Sequence, residues 1–148
     1  MQVSTHTDKT IDKLNSFLRG EISAVETYRQ GLERLGPSPH TSVLQQCMQS
    51  HQQRVEVLRQ EIRRRGGVPS ESSGPWGAFA KLIEGGAKLF GEKAAIAALE
   101  EGEDHGRNDY KRDVNELDAA GRALVEQQIL PEQLRTHQAL SSLKSSLS

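Results

Sequence analysis

Four ionisable side chains stand where helical periodicity calls for apolar ones: Glu21, His51, Glu103 and His137. Two carboxylates and two imidazoles form a donor set that suits iron, manganese or zinc. The same groups can also satisfy one another as a buried hydrogen-bonded layer that fixes helix register. Burying an unpartnered carboxylate costs several kcal/mol, comparable with the net stability of a whole domain. Each of the four must therefore find a partner.

The two glutamates belong to a repeat. Gly20-Glu21 is followed by Tyr28, and Gly102-Glu103 by Tyr110 at the same distance. The match extends outward, Arg29 with Lys111, Leu32 with Val114 and Leu35 with Leu117, at a constant offset of 103 − 21 = 82 residues. Such an offset suggests a duplicated helical hairpin. Tyr28 and Tyr110 are expected to pack in the core with hydroxyls reaching the polar layer. A glycine inside a helix costs about 1 kcal/mol relative to alanine, so Gly20 and Gly102 suggest a close approach beside each glutamate.

The elements that must position these residues are all helical. Thr7 or Asp8 can cap a first helix with its apolar stripe at Ile11, Leu14, Leu18, Val25, Tyr28, Leu32 and Leu35, ending at Gly36-Pro37-Ser38-Pro39. Thr41 or Ser42 can open a second, whose seam runs Leu44, Met48, His51, Val55, Leu58, Ile62 and closes at Arg63-Arg64-Arg65-Gly66-Gly67. The connector, residues 66–91, begins as the loop GGVPSESSGPWG and continues as a short amphipathic helix over Trp76–Phe90. A third helix starts near Glu92 and follows Ile96, Leu99, Glu103, Gly106, Tyr110, Val114 and Leu117. A fourth follows Asp118 with Leu124, Ile129, Leu130, Leu134, His137 and Leu140, and Pro131 should kink or interrupt it. The tail SSLKSSLS should fray. The expectation is one all-α domain over 1–148, an antiparallel four-helix bundle with a core at 8–147 and one long crossover between its second and third helices.

Composition narrows the function. Nineteen basic and 20 acidic residues give 19 − 20 = −1, so nothing global points to nucleic acid or to an anionic membrane. The one cysteine, Cys47, excludes an internal disulfide and fits a reducing compartment. With no signal-like N-terminus and no long apolar run, a cytoplasmic location is expected. No phosphate loop, Cys-x-x-Cys or nucleophile elbow is present, so no enzyme class is assigned. Cys47, four residues before His51, is read as core more readily than as a soft ligand. Arg63 to Arg65 read as a solvated helix end, and His6, His40 and His105 as solvent-facing. Glu101, Asp104, Asp109 and Asp113 form an acidic outer face on the third helix that, against those arginines, can support a homo-oligomer.

The segments LRGEISAVETY, GGVPSESSGPWG, LEEGEDHGRNDY and LPEQLRTHQALSSL resemble the ferritin-like superfamily, in particular an uncharacterised bacterial branch known only as a domain of unknown function. The resemblance covers residues 10–147. It implies a ferritin-like bundle, a link to stress or metal handling, and slow redox or oxygen chemistry if there is chemistry at all. Di-iron members take one glutamate from each of helices 1 and 3 and a Glu-x-x-His pair from each of helices 2 and 4. Glu21, Glu103, His51 and His137 match that pattern, but Met48 and Leu134 stand where the paired glutamates belong. The resemblance therefore implies at most a mononuclear iron, manganese or zinc site, with Glu100 as an additional ligand one turn before Glu103 and the two tyrosines around it. The alternative is a non-catalytic structural or interaction protein whose Glu/His layer holds no metal.

Overall fold

The computed structural model describes residues 5–73 and 91–147, and every described element is helical. Helix α1 spans Thr5–Leu35 and α2 spans Thr41–Arg64, joined by a tight turn. Helix α3 spans Glu92–Asp113 and runs into a 3-10 turn, Val114–Glu116. The fourth helix is continuous but not uniform: α4, Ala119–Leu124, passes through a π turn, Val125–Ile129, into α5, Leu130–Ser146. The connector helix expected over Trp76–Phe90 lies outside the described residues.

The ends form as their residues dictate. Gly66, at φ +83°, terminates α2 while Gly67 N–H donates to Ile62 C=O and Gly66 N–H to Arg63 C=O, which satisfies two orphan carbonyls. Asp118 caps α4, its carboxylate accepting from Gly121 N–H at 2.8 Å. Helix α1 begins at Thr5, ahead of the expected Thr7 or Asp8 cap. The tail does not fray either: Leu140 and Leu143 are buried and carry α5 on to Ser146.

Pro131 interrupts the α-helical hydrogen bonding, as expected, without ending the helix. A proline in a helix lacks its N–H and clashes with the carbonyl one turn back. Here the preceding turn widens, Leu130 N–H reaching back five residues to Val125 C=O. The π turn absorbs the misfit, and Pro131 falls in the first turn of α5, where no N–H is needed.

The helices run up, down, down and up. Helix α1 packs along α2 and α3 along α5, and the two hairpins meet through α1 against α3 and α2 against α5. Tyr28 reaches Glu103 while Tyr110 reaches Glu21, so α1 and α3 are antiparallel and related by a local two-fold. The chain must then travel the length of the bundle between α2 and α3. Residues 67–73 begin this climb along α1: Val68 C=O accepts from Asn15, Ser70 Oγ from Arg19, and Ser73 donates to Glu26. Below the polar layer the core holds Leu14, Leu18, Leu58, Ile62, Leu117 and Ile129, and above it Leu44, Ile96, Leu99 and Leu140.

Candidate functional site: a charged layer across the bundle

At the centre of the bundle, Glu21 on α1, His51 and Arg54 on α2, and Glu103 on α3 are each at most 3 % exposed. His51 bridges the carboxylates: its Nδ1 lies 2.5 Å from Glu21 Oε1 and its Nε2 2.7 Å from Glu103 Oε2. Ionised carboxylates only accept, so both ring nitrogens donate and the imidazole is a cation. Tyr110 OH donates to Glu21 Oε2 and Tyr28 OH to Glu103 Oε2, each at 2.5 Å. Arg54 Nη1 donates to Glu21 Oε2 at 3.4 Å and also to Gln133 Oε1. Its Nη2 donates to Ser50 Oγ at 3.0 Å and Thr136 Oγ1 at 2.9 Å. The second carboxylate is completed from α5, where Gln133 Nε2 and Thr136 Oγ1 donate to Glu103 Oε1 at 3.0 and 2.7 Å.

Two negative and two positive side chains thus meet with every carboxylate oxygen hydrogen-bonded. Burial pushes the Glu21 carboxyl up, but the Arg54 and His51 charges outweigh it and hold it below the ordinary range. Burial likewise opposes ionisation of Glu103, while the His51 charge and the bonds from His51 and Tyr28 bring it down to about 2. Burial disfavours the His51 cation, yet the Glu103 carboxylate raises its pKa above the usual value. Both tyrosines are pushed well above their normal pKa, by burial first and then by the carboxylates they serve, so they act as O–H donors. Beside the layer, between α1 and α3, a cavity of about 60 Å³ is walled in part by Gly20, Ala24, Gly102 and Gly106, with room for a few waters.

Of the four seam residues, the structure brings Glu21, His51 and Glu103 together and leaves His137 out. His137 is 15 % exposed and pairs with Asp104 on the outer edge of α3. Glu100 also lies at that edge, bonded to Ser141 at 3.0 Å. The place opposite His51 is taken by Gln133. Sequence reasoning missed Arg54, Gln133 and Thr136, yet the repeat contains the signal: 51 + 82 = 133 and 54 + 82 = 136. Ser50 and Glu132, also 82 apart, touch at 2.8 Å where α2 and α5 cross. An arginine next to an apolar seam is normally assigned to solvent, and so Arg54 escaped.

The metal implied by the resemblance does not fit this layer. Both nitrogens of His51 are committed to carboxylates, so a ligand bond requires losing a proton that two anions hold. The Arg54 guanidinium already supplies the positive charge that a cation would bring. Neither expected glutamate is present: Met48 packs with the core and Leu134 is 42 % exposed. Cys47 is buried, its thiol pushed up to about 11 by burial and by Glu103, and is an inert core residue.

The surface assignments shift as well. Arg65 is not a solvated cap; it grips Asp118 with two bonds of 2.6 and 2.9 Å and ties α2 to the start of α4. Asp113 is buried against Lys13 and Arg112, not on an outer acidic face.

Four helices around a buried Glu/His/Arg layer, with every described element helical, are the class that fold and site define. Residues 9–116 match the family described as "Domain of unknown function (DUF2383)", and the chain belongs to it. That match takes in α1, α2 and α3, and stops before Gln133, Thr136 and His137. No curated protein and no solved structure matches the chain.

Proposed function

We propose that this protein is a ferritin-like bundle used as a non-catalytic structural or interaction module, with the charged layer serving as an ionic lock on helix register. The up-down-down-up order with one crossover supports the ferritin-like reading of the fold. One observation carries the functional reading: His51 spends both nitrogens on the two carboxylates while Arg54 balances the remaining charge. A layer of this kind selects one packing. Slipping any helix by a turn strands a buried ion, which costs far more than mismatching apolar side chains. Among the described residues no helix is long and apolar enough to cross a membrane.

The test is the protonation state and metal dependence of His51. Nitrogen-15 spectra at neutral pH should show an imidazolium with both nitrogens protonated, unchanged by a strong chelator or by zinc, manganese or ferrous iron. A metal-ligated His51, with one ion per chain lost on replacing Glu21, would overturn this reading and establish a mononuclear Glu/His centre.

A further inference from the structure

A second group of metal-type donors lies outside the lock. Glu100 and Asp104 sit four residues apart on one face of α3, and His137 faces them from the antiparallel α5. One donor atom from each lies within 4.8 Å of the other two. Zinc or manganese, with bonds of about 2.1 Å, holds its ligand atoms roughly 3.4 Å apart, so small side-chain rotations close the gap. Two carboxylates and one imidazole form a borderline-hard donor set with positions left for water. Exposure suits this: Glu100 and His137 are each 15 % exposed and Asp104 40 %, so the group has a floor of protein and an open side.

His137 and Asp104 already hydrogen-bond to each other, and the remaining competing contacts are weak ones. Lys144 lies 3.5 Å from Glu100 and Arg107 3.5 Å from Asp104, both long side chains at the surface that can swing into water. Ser141 Oγ donates to Glu100 Oε2 at 3.0 Å and would continue to orient that carboxylate, the usual task of an outer hydrogen bond at a metal site. Among the described residues the cations that pair with this group, Arg107 and Lys144, are partly exposed, unlike Arg54 in the central layer. None of the hydrogen bonds described for the lock involves Glu100, Asp104 or His137.

We infer that Glu100, Asp104 and His137 form a divalent transition-metal site at the α3–α5 edge, with zinc or manganese as its class of ligand. In binding, a ring nitrogen of His137 turns its lone pair to the metal in place of the hydrogen bond it shares with Asp104. Water completes the coordination shell.

The experiment is a titration of chelator-stripped full-length protein with zinc and with manganese, read by competition against a chromophoric chelator. One equivalent should bind. His137→Ala and Asp104→Asn should each weaken it by about tenfold or more, with helical content and melting unchanged. Paramagnetic manganese should broaden backbone signals around residues 100, 104 and 137 before those around 21 and 51. Absence of saturable binding up to millimolar metal, or binding unaffected in the His137→Ala/Asp104→Asn double variant, would overturn the site. Broadening centred on Glu21 and His51 would overturn both this site and the metal-free reading of the lock. Failure of the edge site alone leaves the lock untouched, so the two are separable.

Discussion

The two hairpins contribute the same carboxylate and opposite chemistry around it. Glu21 and Glu103 each meet a residue 30 positions on and another 33 positions on: His51 and Arg54 for the first, Gln133 and Thr136 for the second. Each also receives a tyrosine from the other hairpin. The geometry is repeated while the charge is not. The first hairpin supplies both cations, and the second supplies only neutral donors. Two buried anions need two buried cations between them, and it does not matter which half provides them. What matters is that His51 lies between the two carboxylates and serves both. A cation at Gln133 as well would leave the layer with excess positive charge.

The asymmetry can be broken most severely at Arg54. Arg54→Met removes the guanidinium and leaves Glu21 with only His51 and Tyr110, so unfolding stability should fall by about 3–5 kcal/mol. Arg54→Lys should recover little, since one ammonium cannot reach Glu21, Gln133, Ser50 and Thr136 together. Denaturant titration measures both. Equal losses at Arg54→Met and at its counterpart Thr136→Val would show that the halves are alike in charge as well as shape.

Next in size is the coupling through His51. His51→Gln makes the first hairpin resemble the second and leaves one cation for two carboxylates. Glu21→Gln in the same chain removes the surplus anion, so the double variant should be more stable than His51→Gln alone, with a coupling energy of about 1–3 kcal/mol in a double-mutant cycle. Additive effects would mean that Glu21 and His51 do not balance one another.

Acid and base should act on the layer from opposite sides. Glu103 falls from 4.5 to about 2 on folding, so its contribution is complete above pH 4.5 and is lost as the pH drops toward 2. His51 is raised above 6.5, so its contribution is complete below pH 6.5 and is lost as the pH climbs through its higher folded value. Both are present together between pH 4.5 and 6.5, where the lock should be strongest. In His51→Gln the alkaline loss should vanish and the acid limb should shrink, since the His51 charge and hydrogen bond are what chiefly lower Glu103. An unchanged alkaline limb would place the titration elsewhere.

The smallest effects test the symmetry that remains. Tyr28→Phe and Tyr110→Phe each remove one hydroxyl from a carboxylate that keeps other donors, and each should cost about 1–2 kcal/mol. Their thermal melts should agree closely, because the two contacts are mirror uses of one geometry. A large difference would mean that the two-fold is only approximate in energy.

Helical periodicity and the 82-residue repeat determined the elements, their turns, the two buried glutamates, His51 on the second seam and the tyrosines reaching toward the layer. These follow from local chemistry: spacing of apolar residues, capping groups and glycines past helix ends. Tertiary structure decided which side chains complete the layer, although the repeat offset already paired Gln133 with position 51 and Thr136 with position 54. His137 looked like the fourth member because it occupies a seam position, yet the widened turn before Pro131 and the crossing of α2 with α5 bring Gln133 and Thr136 to Glu103 and leave His137 at the edge. Arg54 was illegible for a different reason. Whether an arginine beside a seam faces water or crosses the core depends on what lies opposite, and only the packed helices place Glu21, Gln133 and Thr136 within its reach.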